Sequence, residues 1–159
     1  MTDATTQGWG VSSLDTIKSM SGLEFLSAIR DGRLPGPPIA RLLAFHMAEV
    51  AHGRVVFEGR PNADHYNPIG TVHGGYAATL LDSCMGCAVQ STLPRGSGYT
   101  TLEIKVNMVR AITADTGVVR AEGVVLSAGR RIGTAEGRLV DGAGKLLAHG
   151  TTTCLIMEL

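Results

Sequence analysis

The chain has 159 residues, of which 44% are hydrophobic and 18% charged, so one domain with a substantial core is expected and global disorder is excluded. Lys and Arg together number 14, as do Asp and Glu, which gives a formal net charge of zero. This balance argues against a nucleic-acid partner and against electrostatic attachment to an anionic membrane.

The N-terminus and the cysteines indicate the compartment. Residues 1–10 contain no basic residue and no apolar run, so we expect no secretory signal. No stretch reaches the roughly 18 apolar residues that a membrane-spanning helix needs. Three cysteines form no even disulfide framework, which is typical of a reducing compartment. The resulting prediction is a cytoplasmic location.

The first 40 residues are interpreted as an N-terminal extension that is partly helical. Residues 1 to about 20 are rich in Thr, Ser and Gly with weak periodicity, and we expect them to be frayed. Ser21 and Glu24 have the spacing of a capping box, which predicts the start of a helix. The run Leu34–Pro38 contains three prolines and predicts a linker.

Hydrophobic periodicity divides residues 41–159, the main domain, into strands and one long helix. Residues 44–60 alternate as two strands around a turn at Gly53. The segment 76–91 is long for a strand and rich in Ala, Leu and Met, so it predicts a helix that is apolar on nearly every face and surrounded by protein. Period-two alternation and short turns predict further strands at about 101–108, 117–126, 131–140 and 146–157.

The order of these elements predicts an α+β fold. Turns as short as those between the later strands connect antiparallel neighbours. Two strands, a buried helix and a four-strand meander together suggest a curved antiparallel sheet of about six strands that wraps around one central helix. This arrangement is the hotdog architecture.

Asp82 is the one carboxylate or base between Gly75 and Pro94, and it lies in the middle of the apolar helix. Burial of an unpaired carboxylate costs several kcal/mol unless the group takes a proton. Asp82 therefore either faces solvent, pairs with a distant Arg, or has a function as a general base or nucleophile. We favour the functional role.

The turn His73-Gly74-Gly75 at the start of the helix offers backbone N–H groups that no side chain covers. Such groups suit a carbonyl oxygen or a developing oxyanion, although two glycines before a helix are also common in ordinary turns. Asn67, six residues earlier, could direct its amide at the same oxygen or could cap its own turn.

The spacing of Gly74 and Asp82 predicts an obligate dimer. The two residues are eight positions apart, which is about 12 Å along a helix at 1.5 Å per residue. A nucleophile and an oxyanion donor must both lie about 3 Å from the reacting atoms. Either the two features are unrelated, or they come from different chains across a two-fold interface. The sequence leaves a dimer-of-dimers tetramer open.

Cys84 and Cys87 have a spacing found in redox and zinc motifs. Zinc needs further ligands, and only Cys154 and scattered histidines remain. A redox pair of the thioredoxin type would lie at a helix start rather than in the middle. We interpret both cysteines as core residues and expect no metal and no cofactor.

The run Asn67–Asp82 resembles the signature of PaaI-like hotdog acyl-CoA thioesterases, and the agreement extends over roughly residues 45–157. The resemblance implies that the N–H of Gly74, with Asn67, polarises a thioester carbonyl and that His73 supports this loop and the substrate. It also implies that Asp82 attacks the thioester or activates water, with Gly75 close to the substrate.

The same resemblance assigns further contacts. Thr101 falls where the family often has a Ser or Thr that orients the water, although a slip of one residue would put Thr100 there. A thioesterase also needs cations for the phosphates of coenzyme A. Arg130 and Arg131, at a predicted tight turn, are candidates, because a guanidinium can bind a phosphate through two hydrogen bonds; a solvated turn explains them equally well.

These observations predict hydrolysis of an acyl-CoA or aryl-CoA thioester to a free acid and coenzyme A by a homodimer. One alternative is a non-catalytic module that binds acyl-CoA; Asp82 argues against it, because a pocket for an apolar acyl chain gains nothing from a carboxylate. A second alternative is hydratase or isomerase chemistry on a CoA ester, which would release no thiol.

Overall fold

The computed structural model describes residues 8–159, so the predicted fraying of the first seven residues lies outside the described part. The helices are α1 (Leu14–Lys18), α2 (Gly22–Arg30), α3 (Pro38–Leu42) and α4 (Gly74–Gln90). The strands are β1 (Phe45–Ala51), β2 (Arg54–Gly59), β3 (Ser97–Met108), β4 (Val119–Ala128), β5 (Ile132–Asp141) and β6 (Leu146–Glu158).

The six strands form one antiparallel sheet in the order β1-β2-β4-β5-β6-β3. Helix α4 contacts all six strands, so the sheet curves around it. The predicted α+β hotdog arrangement, with one long central helix, is confirmed. The order leaves β1 and β3 as the two edges of the sheet.

The core forms between α4 and the concave face of the sheet. Leu80, Leu81, Met85 and Val89 of α4 are fully buried there, and each contributes about 1.5–3 kcal/mol relative to an exposed side chain. Gly123 of β4 allows this close packing, because a Cβ at that position would collide with the α4 backbone at Cys84. Small residues thus let helix and sheet approach closely in a chain that has few rings.

One face of α4 is not covered by the sheet. Ala78, Thr79, Asp82, Ser83 and Cys87 are only partly buried and recur at helical spacing along this face. The sequence predicted a helix surrounded on nearly every side, which is wrong for this stripe within a single chain. The stripe lies beside β3 and the segment that precedes β1.

The residues before β1 are more ordered than their composition predicts. Ser13 caps α1 through a hydrogen bond from the Thr16 N–H, so the region predicted to be frayed contains a helical turn. Helix α2 has the predicted capping box of Ser21 and Glu24. Helix α3 begins at Pro38, inside the predicted linker, because proline is well tolerated in the first turn of a helix.

We call residues 8–42 the N-terminal segment. It is anchored to the main domain at several points. The N–H of Gly22 donates to the carbonyl oxygen of Leu93 at 3.0 Å, and the Arg95 guanidinium pairs with Glu24 at 2.9 Å. Leu26 and Ala28 of α2 are buried against the domain. The segment therefore forms a fixed wall beside the uncovered stripe of α4.

Within residues 8–159, no helix has the length and hydropathy that a bilayer span requires. The cytoplasmic location remains a prediction from the sequence.

Candidate active site

Asp82 and Thr101 meet between α4 and the edge strand β3. The Thr101 hydroxyl donates a hydrogen bond of 2.9 Å to Oδ1 of Asp82. Both side chains are partly buried, and Asp82 also lines a cavity. Among residues 8–159 no donor contacts Oδ2, so this oxygen remains available to a water molecule or a reacting carbonyl.

The β3 register decides which of the two threonines faces the helix. Thr101 is opposite Cys154, a buried residue of β6, whereas Thr100 is opposite Leu155 and is exposed. Successive side chains of a strand point to opposite faces of the sheet. Thr101 rather than Thr100 therefore contacts the helix, and Thr100 lies on the outer face.

The turn at the start of α4 leaves one backbone donor unused. His73 is the N-cap residue, and its Nδ1 accepts a hydrogen bond of 2.8 Å from the N–H of Gly75. The N–H of Gly74 has no acceptor within the described part of the chain. His73 thus supports the turn, the Gly75 N–H is already bound, and Gly74 offers the available N–H at the positive end of the helix.

Asn67 holds its own loop together. Its Oδ1 accepts from the N–H groups of Ile69 and Thr71, each at 3.1 Å, and its Nδ2 donates to the Thr71 hydroxyl at 2.9 Å. This is the turn-capping arrangement that the loop composition allowed. A contact with a substrate oxygen would use the second hydrogen of the amide, and it stays a prediction.

Gly74 and Asp82 both lie on the continuous helix α4 and both adjoin β3. Asp82 contacts Thr101 near one end of the strand, whereas a Cβ at Gly74 would lie 3.2 Å from Cε of Met108 at the other end. About 12 Å of helix separates the two residues. One chain therefore cannot bring both groups to the same carbonyl.

A cavity of about 490 Å³ opens beside Asp82. Ser83 and Cys87 of the uncovered α4 stripe line it together with Tyr99 of β3 and residues of the N-terminal segment. Burial raises the pKa of Cys87 to about 12, so its thiol stays protonated at neutral pH and is a poor nucleophile. Asp82 is the carboxylate of this cavity.

Tyr99 lines this cavity, whereas Tyr76, Leu80 and Met85 are buried in the core. The sequence reasoning missed the contribution of the N-terminal segment. A signal was present, because Trp9 and Phe25 are aromatic residues in a chain where rings are scarce.

Arg130 and Arg131 lie at the turn between β4 and β5 and are exposed. They line a separate surface cavity of about 960 Å³ that also includes Thr92 and Ser97, beyond the C-terminal end of α4. Neither guanidinium pairs with a carboxylate of the described residues. Their position is compatible with an anionic ligand, and phosphate binding stays a prediction.

Two of the three cysteines lie in the core. Cys84 and Cys154 are fully buried, and burial raises the pKa of both thiols. Among residues 8–159, no group of three or more His, Cys, Asp or Glu side chains is arranged to hold a metal ion.

Comparison with known proteins identifies the family. A family model described as the Thioesterase superfamily matches residues 69–148, which include the Asp82–Thr101 pair and the turn at Gly74. The chain belongs to this superfamily. It is also 32% identical over 109 residues to human acyl-coenzyme A thioesterase 13, an alignment that covers 67% of this chain and 76% of that protein.

Solved structures extend the similarity to most of the chain. A phenylacetic acid degradation-related protein of Ralstonia eutropha is 28% identical with a TM-score of 0.75, covering 82% of this chain and 98% of that one. A mutant of the phenylacetic acid degradation protein PaaI of Thermus thermophilus is 30% identical with a TM-score of 0.67, covering 74% and 97%. The resemblance to PaaI-like proteins is confirmed.

One curated relative is matched over only part of its length. The chain spans about half the length of this protein from Halobacterium salinarum, to which it is 37% identical over 84 residues (54% of that protein).

Proposed function

We propose that this protein hydrolyses acyl-CoA or aryl-CoA thioesters to a carboxylic acid and coenzyme A. The observation that carries the proposal is the carboxylate of Asp82, which the Thr101 hydroxyl holds in the lining of an apolar cavity, in a member of the Thioesterase superfamily. The relative named acyl-coenzyme A thioesterase 13 supports a CoA thioester as substrate.

The reaction needs no more than a carboxylate, water and an oxyanion donor, because a thioester is already an activated acyl group. In the general-base route, Asp82 takes a proton from water while the water oxygen attacks the carbonyl carbon. The tetrahedral intermediate then expels the thiolate, which receives that proton. In the nucleophilic route, Asp82 displaces the thiolate itself, and water hydrolyses the resulting anhydride.

The oxyanion donor in this proposal is the N–H of Gly74 of the partner subunit. Strand β3 is an edge strand of twelve residues, and Leu102, Ile104 and Met108 on it are large apolar side chains that are exposed in the single chain. A long apolar edge of this kind favours pairing with another strand. We therefore expect two chains to join along β3.

The positions along β3 fix where the two-fold axis should cross. Asp82 adjoins Thr101, and Gly74 adjoins Met108. An antiparallel pairing centred near Ile104 and Lys105 would bring Thr101 opposite Met108 of the partner subunit. Each Asp82 would then lie near Gly74 of the partner subunit, and the dimer would have two equivalent sites.

The proposal assigns the phosphates of coenzyme A to the turn between β4 and β5. Arg130 and Arg131 supply two unpaired guanidinium groups, which suit phosphate geometry. Their replacement by Ala is expected to raise KM for a CoA thioester and to leave kcat nearly unchanged, because phosphate contacts are the same in the ground state and the transition state.

Release of free thiol from CoA thioesters by the wild type and by Asp82→Asn tests the proposal. The wild type should release CoA in stoichiometric amounts with the acid, and Asp82→Asn should lose at least about a hundredfold in kcat, because general-base catalysis alone contributes that much. Retained CoA binding by Asp82→Asn would show that its site is intact.

Three results would contradict the proposal or a part of it. Binding of CoA esters by an inert wild-type protein would indicate a binding module. Conversion of an unsaturated or hydroxylated CoA ester without thiol release would indicate hydratase or isomerase chemistry. Full activity of Asp82→Asn would refute the assigned role of Asp82 even if the protein is a thioesterase.

A further inference from the structure

The cavity beside Asp82 is built jointly by the main domain and the N-terminal segment. The segment contributes Trp9, Phe25 and Pro37 to its wall, and α4 contributes Ser83 and Cys87. At about 490 Å³, the cavity is within the range that small-molecule sites occupy. A carbonyl placed beside Asp82 would direct its substituent into this space.

The lining is rich in aromatic side chains, and its basic side chain among the described residues is the exposed His46. Five of the seven aromatic residues of the chain lie in it, namely Trp9, Phe25, Phe45, Phe57 and Tyr99. None of the described residues that line it is a lysine or an arginine. A second carboxylate on an acyl group would therefore find no lysine or arginine to pair with, at a cost that an apolar group avoids.

The wall from the N-terminal segment has a fixed position and lies outside the superfamily match. The match covers residues 69–148, whereas the segment ends at residue 42. Residues 9 and 10 lie beside Gly36, where the N–H of Gly10 donates to the carbonyl oxygen of Gly36 at 3.0 Å. Helix α2 is held by the contacts of Gly22 and Glu24 with the main domain. Part of the cavity wall therefore lies outside the residues that the superfamily model matches, and the N-terminal segment supplies much of that part.

We infer that the N-terminal segment determines which acyl groups this protein accepts. It closes the acyl site with an aromatic wall, so the substrate is an uncharged acyl group of medium length or an aryl acyl group. Phe25 is the specificity-determining residue of this wall, since it packs against the core while part of its ring faces the cavity. This inference rests on the proposed function.

The test compares the wild type with Phe25→Ala and Phe25→Trp. Leu23→Ala is the matched control, because Leu23 lies on the same helix, is also partly buried, and lines a different surface pocket. For each protein, kcat/KM is measured with acetyl-, hexanoyl-, lauroyl- and succinyl-CoA. Ratios between substrates are used, because they do not change if part of a variant sample is unfolded.

The wild type is expected to prefer hexanoyl-CoA to both acetyl-CoA and succinyl-CoA by at least about tenfold. Phe25→Ala removes the ring that closes the wall, so its kcat/KM for lauroyl-CoA relative to that for hexanoyl-CoA should rise by at least about tenfold. A single methylene in an apolar pocket already changes kcat/KM by about this factor. Phe25→Trp should lower this ratio, and Leu23→Ala should keep the wild-type value.

The outcomes separate this inference from the proposed function. Release of CoA by all four proteins with unchanged substrate ratios would overturn the role of the segment and leave the thioesterase intact. Absence of CoA release from every thioester would refute the proposed function. In that case, calorimetry measures the affinities of the wild type and Phe25→Ala for hexanoyl-CoA and for CoA alone. If Phe25→Ala loses the same affinity for both ligands, the wall does not bind the acyl group and the inference is overturned.

Discussion

Replacement of Thr101 by Val isolates the hydrogen bond that holds Asp82. Valine keeps the branched shape and the strand preference of threonine, so β3 should fold as before. The variant removes the hydroxyl that donates to Oδ1 at 2.9 Å. Asp82 would then lose its orientation toward the cavity, and the population of carboxylates in the reactive geometry would fall.

The size of the effect follows from the type of bond. Hydrogen bonds to a charged group contribute about 1.5–3 kcal/mol, and 1.36 kcal/mol corresponds to a factor of ten in rate. Thr101→Val should therefore lower kcat/KM for a CoA thioester roughly 10- to 150-fold. Thr101→Ser keeps a hydroxyl and should recover most of the loss.

The assay is continuous detection of released thiol under identical conditions for each variant. Thr100→Val is the matched control, because it makes the same chemical change one residue away on the exposed face of β3. It should remain within about twofold of the wild type. Equal losses in Thr100→Val and Thr101→Val, or no loss in either, would refute the assignment of the hydroxyl contact.

Three further predictions concern the helix start, the core and the outer sheet face. Gly74→Pro removes the unused N–H at a position that accepts proline, and should cost about 10²–10³ in kcat, whereas Gly74→Ala keeps the N–H and most of the activity. Burial raises the pKa of Tyr76, and its buried hydroxyl has no hydrogen-bond partner among the described protein groups. Tyr76→Phe removes the cost of burying this hydroxyl, so Tm should rise by about 2–4 °C for each kcal/mol of stability gained. Hydrogen bonds from Arg120 and Arg54 hold the pKa of Glu49 at about 2, below its ordinary 4.5. The ionised carboxylate therefore stabilises the fold above pH 4.5, and this stabilisation is lost as the pH falls toward 2. The Tm of the wild type should accordingly exceed that of Glu49→Gln at about pH 7, and the difference should vanish toward about pH 2.

Each of these predictions has a clear contrary result. Similar kcat values for Gly74→Pro and Gly74→Ala would show that the N–H is not used. A lower Tm for Tyr76→Phe would mean that the hydroxyl is satisfied in solution. A Tm difference for Glu49→Gln that persists at pH 2 would show that the Glu49 charge does not cause it, because the stabilisation should disappear once the carboxylate is protonated.

The main elements could be predicted because their patterns are local. Alternation around Gly53 and the turn residues between the later strands fixed five strands to within about two residues of the observed ends. The length and composition of the segment after Gly75 indicated α4 in the same way. The β3 strand extends further, from Ser97, because its pairing with β6 continues beyond the alternating residues.

The tertiary details of the site could not be read from local pattern. Thr100 and Thr101 are chemically identical neighbours, and the pairing of Thr101 with Cys154 is what decides which one faces the helix. The aromatic wall depends on the position of Phe25, which lines the same cavity as residues of α4 that are more than fifty positions away. Period and composition carry no information about such contacts.

The central claim is that Asp82 works with the N–H of Gly74 of the partner subunit, and a mixed dimer tests it most directly. Chains carrying Asp82→Asn and chains carrying Gly74→Pro are given different affinity tags, and the heterodimer is purified through both. A site shared between chains is intact once in this heterodimer, which pairs the native Asp82 of one chain with the native Gly74 of the other.

We predict that each homodimer is nearly inactive and that the heterodimer has about half of the wild-type kcat per dimer. Size-exclusion chromatography with light scattering confirms the dimeric state of each sample. A heterodimer no more active than the two mutant homodimers would contradict the account, because it would mean that no site combines groups from two chains.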